Sequence, residues 1–294
     1  MKIGFTLKPN NGNILDFEKQ LSHLEEIEAG SAEIPLYELD VISGKKIIKD
    51  ELNLLNKTIQ NSNLQFSIHG SMSVNLLDEE YLSDHLEVLR KEIEVCSALN
   101  VNILVTHFGH TPVEVSKNHQ KYKDLINIQN EEYFKIAEVA KQNGVKLCIE
   151  NIFPYTNLHF TALPSEVSKN ISEINHPNAR TTIDFSHAYI NCNLRKKDLI
   201  SELETMVPFT EHLHVHDSFG KFKIMDTYIF PEDITYGQGD IHLPLGWGDI
   251  PFETIFSTLN IKKNIFFNFE LTHRYKKYYS QNIKIAKKLI SLIQ

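Results

Sequence analysis

Nine residues whose side chains bind divalent metals, His69, His107, Glu150, Asp184, His187, His214, Asp240, His242 and Glu270, are spread along most of the chain instead of forming one motif. Seven of them close or directly follow short apolar runs, as in Leu64-Gln65-Phe66-Ser67-Ile68-His69, Val101-Asn102-Ile103-Leu104-Val105-Thr106-His107 and Val145-Lys146-Leu147-Cys148-Ile149-Glu150. Taken singly, each has an ordinary reading, either a hydrogen-bonded core histidine or a buried carboxylate paired with Arg or Lys. Nine at corresponding ends of successive segments favour a shared cation, because unpaired buried imidazoles and carboxylates carry a desolvation penalty that a common ion offsets. Mixed imidazole and carboxylate donors with no usable thiolate pair suit Zn²⁺, Mn²⁺, Fe²⁺ or Co²⁺, with room for one to three ions. Asp184-Phe185-Ser186-His187 offers two donors three apart. Asp240-Ile241-His242 places two more on one side of an extended segment, since side chains two apart point the same way.

These donors need a scaffold that brings strand ends together. Apolar, β-rich runs alternate with longer segments of helical period. Strands are expected near 3–7, 31–36, 64–69, 101–107, 145–150, 180–184, 211–216 and 264–270. Helices are expected near 14–28, 46–62, 80–99, 129–143, 164–174, 196–206, 252–259 and 280–293. The third helix is the clearest, with Leu82, Leu86, Leu89, Ile93 and Cys96 recurring at spacings of three and four. Eight β/α units in one chain predict a single (β/α)₈ TIM barrel, whose active site forms from loops at the C-terminal strand ends, where the donors lie. Two connections, about 108–128 after strand 4 and about 217–251 after strand 7, are too long for simple turns and are expected to overhang the site. Asp249-Ile250-Pro251 reads as the entry to the seventh helix.

Composition sets the outer limits. The 294 residues, 41% hydrophobic, suffice for one barrel spanning 1–294, and no linker, repeat or low-complexity tract divides them. Cys96, Cys148 and Cys192 are odd in number and lack C-x-x-C spacing, which argues against a disulfide framework and for a reducing, cytoplasmic compartment. No apolar stretch reaches the roughly 18–20 residues of a membrane span, so no membrane partner is expected. A net charge of −8 argues against broad attraction to nucleic acid. Oligomeric state is not readable from the helix faces. Several of the fourteen histidines, such as His23, His85 and His119, fall on polar helices or loops and read as surface residues.

The donor stretches extend to Ile68-His69-Gly70, Thr106-His107-Phe108-Gly109-His110, Ile149-Glu150-Asn151, Ile183-Asp184-Phe185-Ser186-His187, His214-Val215-His216-Asp217-Ser218, Asp240 through Gly248, and Phe269-Glu270. As a set in this order, the chain resembles the xylose isomerase-like TIM barrel superfamily. That group includes sugar epimerases, sugar phosphate isomerase/epimerase-like proteins and endonuclease IV of AP endonuclease family 2. The resemblance implies a four-ligand centre of Glu150, Asp184, His214 and Glu270, as in the epimerases. It implies a second metal position at His69 and His107, and a third at His187, Asp240 and His242, as in endonuclease IV.

Three functions follow as expectations. The first is a metal-dependent isomerase or epimerase acting on a sugar, sugar phosphate or related polyol, with Glu150 and Glu270 as catalytic groups removing and returning a proton. Substrate-binding candidates are Asn151, His216, Lys221, Trp247 and Arg274, the last in a basic His273-Arg274-Tyr275-Lys276-Lys277 segment where barrels often bind phosphate. The second is an endonuclease IV-like trinuclear zinc phosphodiesterase acting on abasic DNA. Against it, the family's aromatic and aliphatic wedge after strand 3 is replaced by Met72 and Ser73, and Leu36-Tyr37-Glu38 stands where an Arg is expected. DNA is therefore not the expected partner. The third is a metal-holding binding protein without turnover.

Overall fold

The computed structural model describes residues 1–293. Eight strands carry the design: β1 (Lys2–Thr6), β2 (Ser31–Pro35), β3 (Gln65–His69), β4 (Ile103–His107), β5 (Lys146–Glu150), β6 (Ala179–Asp184), β7 (Thr210–Val215) and β8 (Phe266–Phe269). They close a ring in the order β1-β8-β7-β6-β5-β4-β3-β2. Every neighbouring pair runs parallel. Parallel strands covered on both faces read as near-continuous apolar runs, and β2 and β4 are buried at every position. The eight expected strands are thus observed, closed as a (β/α)₈ barrel.

Helices flank the ring as α1 (Asp16–Glu26), α2 (Lys49–Gln60), α3 (Leu82–Ala98), α4 (His119–Gln142), α5 (Pro164–Ile174), α6 (Phe185–Arg195), α7 (Leu199–Met206), α8 (Phe230–Tyr236), α9 (Phe252–Thr258) and α10 (Tyr279–Ser291). On α3 the seam Leu86, Leu89, Ile93 and Cys96 is buried, as its spacing of three and four requires. No helix among the described residues is long and apolar enough to cross a membrane. All three cysteines are free and buried.

The chain departs from the sequence reading in two connections. Residues 108–128 are not an open loop. His110–Pro112 pairs with His159–Thr161 in a small antiparallel ribbon, a short helix spans Val113–Lys117, and α4 begins at His119. The added first turns of α4 bury only Leu125, so apolar periodicity gives little sign of them. The second departure is α6, which matches none of the expected helices. Its inward face is mixed, with Ser186, His187 and Asn191 buried among Phe185, Ala188, Ile190 and Cys192, which breaks the apolar period. Asp184 starts this helix: its side chain accepts the backbone N–H of His187 at 2.7 Å, an N-cap worth about 1 kcal/mol. Loop 7 keeps its expected length, folds over the site and contains α8. Pro251 stands at the N-cap of α9.

The barrel interior is layered. Ile103, Val105, Cys148 and Phe266 form an apolar plug near the N-terminal strand ends. Above it, register sets Thr6 beside Glu33, Glu33 beside Ser67, and His214 beside Asn268, giving a polar layer directly under the mouth.

A candidate metal centre at the mouth of the barrel

The C-terminal ends of β3, β4, β5 and β6 deliver His69, His107, Glu150 and Asp184, and β7 delivers His214 one residue before its end. Glu270 follows β8 directly. His187 comes from the first turn of α6, while Asp240 and His242 come from loop 7. All nine predicted donors meet in one place. Glu150 Oε2 lies 3.5 Å from His69 Nε2, 3.8 Å from His107 Nε2 and 3.2 Å from His214 Nδ1. His214 Nδ1 is also 3.5 Å from Glu270 Oε2. Glu150 Oε1 is 3.1 Å from His187 Nδ1. A second knot forms where Asp240 Oδ2 meets His187 Nε2 at 3.3 Å and His242 Nε2 at 2.6 Å.

The contacts at Glu150 and at His214 Nδ1 are not ordinary hydrogen bonds. Both oxygens of Glu150 and Nδ1 of His214 are buried without a hydrogen-bond partner, although other donors lie within 3.1–3.8 Å of them. Ligands held about 2.0–2.1 Å from a single ion stand roughly 3–3.4 Å from one another. Close approach, burial and missing alignment together fit a divalent cation. Sets of three atoms within mutual reach of one ion include His69, His107 and Glu150; His69, His214 and Glu270; Glu150, Asp184 and His187; and His216, His242 and Glu270.

The electrostatics agree. Burial pushes Glu150 and Asp240 up, but the charges of surrounding imidazoles, His214 foremost for Glu150 and His242 for Asp240, hold both well below the usual carboxylate range. Burial also opposes charge on His214, His187 and His242, yet Glu270, Asp184 and Asp240 respectively lead the groups that raise them, His242 to about 9. His107 goes the other way, pushed down to about 3 by burial. Without an ion, protons on the imidazoles balance the carboxylates. Cation binding displaces those protons, so affinity must fall with acidity.

Backbone geometry marks His242 as well. Its φ is +47°, in the left-handed region that a branched or bulky side chain adopts at a cost of about 1–3 kcal/mol. Gly239 and Gly246 in the same loop, at φ +75° and +83°, relieve the strain of neighbouring turns. Asp217 folds the loop back, with Oδ2 accepting from Gly246 N at 2.8 Å and Oδ1 from Ser218 N at 3.0 Å.

Above the donors lies a cavity of about 360 Å³ lined by Lys8, Tyr37, Met72, Phe153, Tyr155 and Phe230 together with seven of the nine candidate ligands, all but Asp184 and His214. The larger cavity of about 570 Å³ at the opposite end of the barrel is lined by residues such as Asn56, Phe66, Val101 and Phe266, with no histidine or acid among them. Volume alone does not locate the chemistry here. The convergent donors do.

The chain matches the model of the xylose isomerase-like TIM barrel family over residues 21–293. It belongs to that family. Solved structures of similar fold include a D-tagatose 3-epimerase-like protein (TM-score 0.74, 18% identity, covering 100% of this chain and 98% of that one). D-allulose 3-epimerase from Methylomonas sp., solved with D-allulose, aligns at TM-score 0.66 and 14% identity over 97% of this chain and 90% of the other. The 3-keto-D-glucoside 4-epimerase from E. coli aligns at 0.66 and 14% over 98% and 99%. At such identities the likeness carries the fold. No curated protein sequence matches the chain.

Within this xylose isomerase-like barrel, the five substrate-binding candidates separate. Asn151 is a strut: its side chain donates to the Asp184 carbonyl at 2.9 Å and accepts from the Asp184 N–H at 3.0 Å. Its own carbonyl faces His187 Nδ1 at 3.1 Å. His216 is buried under the third donor set, 3.0 Å from Asp184 Oδ2 and stacked 4.0 Å from the His242 ring. None of the five is on the cavity lining. Trp247 packs edge-on against Tyr275 and Tyr278, at 5.3 and 5.1 Å between centroids. Arg274 covers the Tyr275 ring and Lys221 the Phe219 ring.

Sequence reasoning passed over Lys8 and Tyr37 on the cavity wall, and Glu33 and His212 beneath it. For the deeper pair a signal existed. Glu33 is a lone charge within the apolar strand Ser31-Ala32-Glu33-Ile34-Pro35, and His212 stands two before His214, hence on the same face. Burial pushes Glu33 up, but the charge on His214 and hydrogen bonds from His212 and His214 hold it well below the usual range.

Proposed function

We propose that the protein is a metal-dependent sugar or sugar phosphate isomerase or epimerase in which Glu150 and Glu270 transfer the proton. One observation carries this reading: the two carboxylates reach the cavity floor from β5 and from the end of β8, and flank His214 Nδ1 at 3.2 and 3.5 Å. Carboxylates on separate strands can address a substrate carbon from different sides. One removes a proton and the other returns it, which inverts or relocates a stereocentre. A bound divalent cation, held by Glu150, Asp184, His214 and Glu270, supplies Lewis-acid polarisation of substrate carbonyl and hydroxyl oxygens.

The wall suits a small polyol. Tyr37, Phe153, Tyr155 and Phe230 give apolar surface and exclude water, and about 360 Å³ falls within the range of roughly 300–1,000 Å³ typical of small-molecule sites. Lys8 is the one lysine or arginine on the lining and is placed to receive a phosphate or carboxylate on such a substrate. The printed names of the similar folds, a D-allulose and a 3-keto-D-glucoside epimerase among them, support a sugar.

One observation favours a second reading. His187, Asp240 and His242 converge beside the floor and complete a set of nine donors. Three ions there suit generation of hydroxide and neutralisation of a phosphoester, as in an endonuclease IV-like trinuclear zinc enzyme. A binding protein without turnover has no observation in its favour. The deciding assay incubates Mn²⁺- or Zn²⁺-loaded protein with a panel of ketoses, aldoses and their phosphates, and separately with an abasic-site duplex. Epimerised or isomerised sugar with intact DNA is the expected outcome; strand cleavage with an inert sugar panel overturns it.

A further inference from the structure

The imidazoles at the site are not oriented alike. His69, His187 and His242 each turn Nδ1 to a backbone carbonyl, of Gly70 at 2.9 Å, Asn151 at 3.1 Å and Glu270, and each aims Nε2 at a site carboxylate. His107 also points Nε2 at Glu150. His214 is reversed. Its Nε2 meets both oxygens of Glu33 at 3.2 Å, while Nδ1 faces Glu150 and Glu270 without a hydrogen bond of its own. An ionised carboxylate therefore does for His214 what neutral carbonyls do for three of its neighbours.

Glu33 is built to stay in place. It is fully buried inside the barrel, and its contacts come from four other strands. Oε1 accepts from Thr6 Oγ1 at 3.0 Å and Asn268 Nδ2 at 2.9 Å, Oε2 from Ser67 Oγ at 3.4 Å, and His212 Nε2 stands 3.2 Å from Oε2. A buried carboxylate is tolerated only when its lone pairs are met by fixed donors. The same donors exclude another use of the cluster. Glu33, His212 and His214 lie close enough for one ion, but Nε2 of His212 is already 3.1 Å from Ser67 Oγ and Nε2 of His214 is engaged by Glu33. A cation there would have to break this network.

We propose that Glu33 is a positioning residue of the metal centre: by accepting the Nε2 proton of His214 it fixes that ring's tautomer and directs Nδ1 to the ion shared with Glu150 and Glu270. The negative charge behind the ring also makes Nδ1 a stronger donor than a carbonyl partner would. This inference rests on the metal-centre reading of the same site.

The test compares wild type with Glu33→Gln, which keeps size and an acceptor but removes the charge. Zn²⁺ alone is titrated in competition with a chromophoric chelator, and long-range ¹H–¹⁵N correlations report the ring nitrogens of His214. Expected are a Zn²⁺ affinity about 10–100-fold weaker in the variant, an unchanged number of ions, and in Zn²⁺-loaded wild type a His214 protonated on Nε2 and coordinated through Nδ1. The spectroscopic arm needs only wild type, so it decides the matter even where Glu33→Gln does not fold. Equal affinity in a folded variant, or coordination of His214 through Nε2, overturns the positioning role and leaves the centre standing. A wild type that binds no Zn²⁺ overturns both.

Discussion

The candidate metal centre has a floor and an arm, and they are held by different means. His69, His107, Glu150, Asp184 and His214 stand on barrel strands and Glu270 directly follows the last one, with Thr6, Glu33, Ser67 and Asn268 in the layer below. His187, Asp240 and His242 stand on a helix start and a long loop, with His242 held at a positive φ. The floor has the rigidity of a closed sheet, where a donor can move only if its strand moves. The arm depends on loop 7, whose fold is fastened by Asp217 and its bonds to Ser218 and Gly246. Proton transfer needs the floor alone; phosphoester chemistry with three ions needs both. The comparison therefore separates the two functional readings within one molecule.

The largest effect is expected where floor and arm are broken separately. Glu150→Gln and Glu270→Gln should each lower sugar turnover by about three orders of magnitude, within the roughly 10²–10⁴ that a positioned acid or base contributes, with the circular dichroism spectrum unchanged. His242→Ala should retain turnover within about tenfold, or ~1.4 kcal/mol of transition-state stabilisation. Rates in all three variants, measured on the responding sugar, check the contrast. Near-total loss in His242→Ala alone would move the chemistry to the arm and to a phosphoester.

A smaller effect lies behind the floor. Glu92 on α3 is buried against the turn after β3, where it accepts the Ser71 N–H, while its other oxygen has no partner. A Cβ on Gly70 would stand 2.5 Å from that second oxygen, so any larger residue there would require the Glu92 carboxyl to shift. Burial pushes Glu92 up to about 7. A carboxyl raised in the folded state contributes stability below its unfolded value near 4.5, and that contribution is lost as pH rises through about 7. Glu92→Gln should therefore raise stability by up to about 3 kcal/mol at pH 8 and change it little at pH 4.5. Urea unfolding at both pH values checks this, and equal effects at the two would contradict the assignment.

The floor was legible in the sequence because strand ends are marked twice, by an apolar run and by the polar residue that closes it. Ile68-His69 and Ile149-Glu150 show the pattern plainly. The arm was legible in the residues only as local spacing, Asp184 to His187 and Asp240 to His242; its assembly from loop 7 was implied by the family resemblance and by the length of that connection. α6 was missed because its buried face carries Ser186 and His187, which meet Asp240, and Asn191, which donates to Thr161 and Ala162. Lys221, Trp247 and Arg274 drew attention by type, yet their neighbours are Phe219, Tyr275 and Tyr278. Glu33 escaped for the opposite reason: its partners lie on four other strands, and no local window contains them.

The central claim is that this mouth of imidazoles and carboxylates holds a divalent cation. Elemental analysis of protein purified without chelator, repeated after dialysis against Mn²⁺ or Zn²⁺, tests it most directly. At least one ion per chain should survive gel filtration, and Glu150→Gln should lose it. A wild-type protein that is metal-free as purified and takes up neither ion would contradict the claim.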